Sequence, residues 1–241
     1  MSLITIFIYV LLTSTLSGAL GMAGGVILMA VFLVFLPLPV ALVLHGLTQM
    51  SSNGFRAYIN REHIKKEVII PYIIGAIIAY TIFQFIQIKP SKKVIFLILG
   101  LLPFLGVLKK TSKYFDIEKK GRSLICGVVV SASQAICGVS GSILDLFYLS
   151  SSLGRFSIVA NKAFTQAFGH MLKTFYFLQI YNFEVESLSP AIYGIALFTP
   201  LFGSIFGKKI LKSFSDDSFL KVAKLTMIGF SGFMFYKGII S

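Results

Sequence analysis

Six residues of one stretch share a face that an apolar helix has no reason to carry. In RFSIVANKAFTQAFGHMLKTFYF, the residues Lys162, Thr165, Gln166, Gly169, His170 and Lys173 stand at i, i+3, i+4, i+7, i+8 and i+11. That spacing is one side of a helix. An earlier segment repeats the stripe with His45, Thr48, Gln49, Ser52, Asn53 and Arg56. Lys162, Lys173 and Arg56 are cationic, and the imidazoles and amides add hydrogen-bond donors. The one carboxylate inside an apolar segment is Asp145. A charge near a bilayer centre costs about 3 kcal/mol or more. Both stripes are therefore expected to face a shared wet cavity, and their sign suits an anion. The plainer readings are hydrogen bonding between helices, or snorkelling of Arg56 and Lys173 from segment ends.

The elements that position these residues are membrane segments. The chain has 241 residues, of which 56% are hydrophobic and 13% charged, and its mean hydropathy is +0.87. A soluble domain is about a quarter charged. Eight apolar segments are predicted. The first, 3–36, is too long for one crossing, since a continuous helix of that length would reach about 50 Å against a core of about 30 Å. The fifth, 124–149, is long too. Each carries a cluster of small residues near its middle: GALGMAGGVIL in the first, CGVSGSIL in the fifth. The first segment lacks a basic leader region, so it is read as retained. The net charge of +13 is assigned to short loops, where the positive-inside rule puts it, and not to nucleic acid.

Sliding the sequence by 117 residues superposes the two clusters and the two stripes. Gly21 falls on Gly138, Gly24 on Gly141, Gly25 on Ser142, Thr48 on Thr165, Gln49 on Gln166 and Arg56 on Lys173. The expected organisation is membrane repeat 1 (1–110), a basic inter-repeat loop (111–122) and membrane repeat 2 (123–241). If all eight segments cross, the loop Lys and Arg divide evenly between the faces. If segments one and five re-enter, 15 fall on one face and 4 on the other. The bias favours two inverted repeats, each a broken re-entrant helix followed by three crossings, in an all-α polytopic membrane protein.

Broken helices free backbone N–H groups, and a half-helix N-terminus carries about +0.5 charge. Such ends bind anions. The expected binding set is Gly21, Gly24, Gly25, Gln49, Asn53, Gly138, Ser140, Gly141, Ser142, Lys162, Thr165, Gln166, His170 and Lys173. His45, Asp145 and Arg56 are candidates for coupling or ion pairing. Asp145 has several readings: a structural pair with Lys162 or Lys173, a coupling-proton site, or a coupling-cation site. His45 and His170 either titrate, donate to an oxyanion, or make satisfied interhelical bonds. Cys126 and Cys137 are expected to pack, with no metal site and no cofactor.

The stretches LSGALGMAGGVIL and LPVALVLHGLTQMSSNG resemble the first half of the sulfite exporter TauE/SafE family. ICGVSGSILDLFYLSSSLGRFSIVANKAFTQAFGHMLKTFYF resembles its second half. The resemblance spans nearly the whole chain and implies a permease for sulfite, an organosulfonate or a related sulfur-containing anion. Its partners would be that small anionic solute and the lipid bilayer, in a plasma membrane such as a bacterial inner membrane. A homo-oligomer is left open. Two alternatives are an anion channel and an intramembrane serine protease using Ser140 in GVSG with His170 as base. The repeat weighs against the protease, because Ala23 stands where Ser140 has its counterpart.

Overall fold

The computed structural model describes residues 2–21, 24–105, 114–182 and 188–240, and the regular elements among them are helices. Both long segments are broken where the small residues cluster. Helix α1 (Leu3–Leu20) stops at Gly21, and α2 (Gly24–Phe35) follows. Helix α6 (Arg122–Cys137) stops at Gly138, and α7 (Gly141–Leu149) follows. Gly21 has φ 68° and Gly138 has φ 73°. These left-handed caps suit a residue without a Cβ. Their N–H groups donate to the carbonyls of Ser17 and Gln134, each at 2.8 Å. Helix α2 then doubles back on α1: a Cβ on Gly24 would lie 2.0 Å from the Thr13 carbonyl oxygen.

Three further helices complete each half. They are α3 (Leu38–Ile59), α4 (Lys66–Ile86) and α5 (Lys92–Leu105), then α8 (Arg155–Ile180), α9 (Pro190–Lys212) and α10 (Asp216–Ile240). Of these and the preceding four, α1, α4 and α9 are long and apolar enough to cross a membrane by length and composition. Helices α3 and α8 have the length, 22 and 26 residues, but they carry the polar stripes.

Packing crosses between the halves. Helix α1 lies along α9 and α6 along α4, while α3 pairs with α8 and α5 with α10. Exchanging the halves maps this set of pairings onto itself. Small residues bring the backbones together. Gly18 meets Gly207 on α9, and Gly127 meets the Tyr72 carbonyl on α4. The outer surface is apolar, with Ile4, Phe85, Phe198 and Leu225 exposed, whereas the polar stripes lie inside. This is the arrangement a lipid-facing bundle requires.

The loops gather at two ends. At one, Lys65 pairs with Glu118 at 3.0 Å, Ser152 donates to Glu118 at 2.7 Å, Arg155 pairs with Asp216 at 2.7 Å, and Lys208 donates to the Ile59 carbonyl. At the other, Lys92 donates to the carbonyls of Leu33 and Leu36, and Tyr176 donates to that of Ile88. Of the expected inter-repeat loop, residues 111–113 lie outside the described residues, and so does Ala23.

Candidate functional site

The two stripes face each other because α3 packs on α8. Their charged members are almost sealed, with Arg56 2% exposed, Lys162 1% and Lys173 2%, and so is Asp145 on α7, at 3%. Arg56 is thus buried within α3, one turn from its end, and does not snorkel. Lys162 donates to Asp145 in a closed ion pair. Lys173 Nζ instead lies 2.8 Å from Nδ1 of His45, in hydrogen-bond contact. His45 Nε2 lies 2.8 Å from the Gly25 carbonyl, and its ring stands edge-on to that of His170 at 5.3 Å. Arg56 donates to Oδ1 of Asn53 and, at 3.3 Å, to Oε1 of Gln166 in the other half.

Between the two helix breaks lies a cavity of about 20 Å³, room for about one water molecule. Gly25, in the first turn of α2, lines it from one half. Ser140 and Gly141, at the start of α7, line it from the other. Two half-helix N-termini therefore converge on one small space. The stripes close its sides with His45, Gln49, Lys162, Gln166 and His170, and Asp145 reaches it beside Lys162. Several buried polar atoms here have no partner among the described residues: Gln49 Nε2, Ser140 Oγ and His170 Nδ1 at the cavity, with Arg56 Nε and Nη1 behind it. Unpaired buried donors cost about 1–3 kcal/mol each, so this cluster is poised for something that accepts. Three basic residues against one carboxylate give the region a positive balance.

The expected residues divide accordingly. Gly25, Gln49, Ser140, Gly141, Lys162, Gln166 and His170 line the cavity, together with His45 and Asp145. Gly21 and Gly138 act one step back, as the caps that turn the chain. Gly24 sits in the α1–α2 contact. Asn53, Arg56 and Lys173 reach the lining through neighbours. Thr165 spends its hydroxyl on the carbonyls of Asn161 and Lys162, each at 3.0 Å. The Ser142 side chain lies outside the described residues. Cys126 and Cys137 are buried free thiols. Ser17, Val26 and Val139 also line the cavity and were not expected from sequence. Ser17 had a signal: it stands one turn before Gly21, and its counterpart Gln134 stands one turn before Gly138.

The family described as Sulfite exporter TauE/SafE matches this chain over residues 6–235. No curated protein matches, and no solved structure matches.

Proposed function

The chain belongs to the sulfite exporter TauE/SafE family and is a multi-pass membrane transporter, and from that premise we propose that it carries a small sulfur-containing oxyanion held between the two helix breaks. Sulfite and organosulfonates are the solute class. The observation that carries this reading is the convergence of Gly25 and Gly141, each in the first turn of a half-helix, on one cavity with unpartnered donors. Helix N-termini stabilise an anion through aligned backbone N–H groups without needing a full positive charge. Gln49, Gln166, His170 and Ser140 would donate to the solute's oxygens. Lys173 and Arg56 leave the surroundings positive, because Asp145 already balances Lys162.

Alternating access is the mechanism that follows from this reading. A cavity of about 20 Å³ is too small for sulfite, so the described conformation is closed around an undersized site. Loading requires the halves to part along α3 and α8. The gathering of loops at two ends, and the exchange of packing partners between halves, support two inverted repeats moving against each other. The protease alternative has less support. Among the described residues Ser140 Oγ has no hydrogen-bond partner, whereas a serine nucleophile is activated by a bonded base. The channel alternative predicts flux that does not saturate.

Uptake into proteoliposomes tests the reading. Saturable sulfite or methanesulfonate flux is expected, with counter-flow. Gln166→Ala or Lys173→Ala should abolish it in protein that still runs as a single folded species. Unchanged flux in both variants would remove the stripes from the site.

A further inference from the structure

Lys173 and His45 form a pair unlike the other buried bases. Among the described residues, no carboxylate lies within ion-pair distance of Lys173, and its ammonium donates to an imidazole nitrogen instead. The Gly25 carbonyl only accepts, so His45 Nε2 carries a hydrogen. In the neutral ring, Nδ1 is then the acceptor from Lys173. Move one proton from Nζ to Nδ1 and the same contacts persist: His45 donates to both partners, and Lys173 accepts as a neutral amine. Remove that proton altogether and Lys173, as an amine, still donates to Nδ1. Three protonation states thus fit one geometry. The Lys162–Asp145 pair has no such freedom, because losing a proton from Lys162 strands a buried carboxylate.

Lys173 is not among the residues lining the anion cavity and borders a second one. That space of about 10 Å³ is lined by Tyr80, Ser131, Gln134, Leu172, Lys173 and Tyr176. Ser131 Oγ and Gln134 Nε2 are buried there without partners among the described residues, which suits a bridging water. Tyr176 donates to the Ile88 carbonyl, at the end where Lys92 holds Leu33 and Leu36. The other titratable groups around the pair are His170 on the His45 ring, Tyr80 and Tyr176, and Cys137. The Cys137 thiol is engaged by the carbonyls of Ser133 and Val139. Arg56, on the same stripe as His45, bonds Asn53 and Gln166.

We propose that Lys173 and His45 hold one exchangeable proton, reached through the small cavity behind Lys173, and that this proton is carried with the anion. The coupling rests on the anion site proposed above; the proton site does not. An anion in the first cavity favours the protonated pair, and by linkage the proton favours the anion. The expected stoichiometry is one proton per anion in the same direction.

Two measurements test this. In the first, proteoliposomes with a trapped pH dye and a clamped potential receive methanesulfonate, or sulfite with a protein-free control. Wild type should acidify the lumen as the anion enters. Gln134→Leu, which fills the second cavity, should slow proton entry at least 10-fold and leave anion binding at fixed pH unchanged. Anion flux without proton movement, equal at pH 5.5 and 8.5, would overturn the coupling. If neither anion binds or moves, the anion reading fails instead. The second measurement needs no anion. ¹⁵N spectra of the His45 imidazole and the Lys173 ε-nitrogen should show one of the two changing state between pH 5 and 9, and Lys173→Met should alter the His45 signal. Both signals flat across the range in wild type would overturn the proton site.

Discussion

Position 28 is leucine, and its counterpart 117 residues on is Asp145; position 45 is histidine, and its counterpart is Lys162. The two halves thus share a backbone plan and fill it with different charges. In the second half, Lys162 comes with the carboxylate that balances it. In the first, His45 needs none, because a neutral imidazole takes its bonds from Lys173 and gives one to Gly25. The stripe ends cross over: Arg56 reaches Gln166, and Lys173 reaches His45. Symmetry of fold supplies two converging helix ends, and asymmetry of charge supplies a fixed pole and a titratable one.

The largest expected effect comes from breaking the fixed pole. Asp145→Asn leaves Lys162 buried without a counter-charge and should cost about 3–5 kcal/mol, read as a lowered melting temperature in detergent. Asp145→Leu with Lys162→Met imitates the uncharged position 28 and should recover most of that stability, yet not transport. If Asp145→Asn melts like wild type, the pole is not closed.

Next comes the steric difference between the helix ends. A Cβ on Gly25 would lie 2.6 Å from Oε1 of Gln49, whereas one on Gly141 meets Val26 at an ordinary 3.4 Å. The Cβ on Gly25 must push aside the flexible end of Gln49, whose amide lines the cavity, and losing a donor worth about 1.4 kcal/mol is tenfold in affinity. Gly25→Ala should therefore weaken anion binding about tenfold or more, and Gly141→Ala by less than about threefold. Equal losses would mean that Gln49 does not mark the site.

The breaks, the stripes and the family resemblance were legible because small residues and polar periodicity repeat at one offset. Gly21 and Gly138 announce themselves by sequence, since a left-handed cap needs glycine. Pairing was not legible. Asp145 is 17 residues before Lys162 and 28 before Lys173, and only the docking of α7 on α8 decides between them. By sequence Arg56 is the weakest member of its stripe, with snorkelling from a segment end as the alternative, and the bundle seals it. The Lys173–His45 contact joins residues 128 apart, which no local pattern encodes. Ser17 was hidden by its type, since serine in an apolar helix usually bonds its own backbone.

The smallest expected effect lies at the loops. Burial alone would raise the Glu118 carboxyl, but hydrogen bonds from Ser152 and Lys65, with the Lys65 charge, outweigh it and hold it below the usual carboxylate range. A depressed carboxyl stabilises the fold above that range and loses its contribution as pH falls through its folded value. Glu118→Gln should cost less than about 1 kcal/mol at neutral pH and flatten the acid limb of the melting curve. It should leave anion affinity unchanged. A change in affinity would tie this end to the site and blur the contrast between poles and loops.

The central claim is that an oxyanion is held between the two breaks, and ligand-induced stabilisation tests it most directly. Purified protein is melted with sulfite, sulfate, thiosulfate, methanesulfonate and acetate, and binding raises the melting temperature by mass action. The account predicts a saturable rise with sulfite or methanesulfonate in wild type and its loss in Gln166→Ala. A wild-type melting temperature that no sulfur oxyanion moves, or a rise that persists in Gln166→Ala, would contradict it.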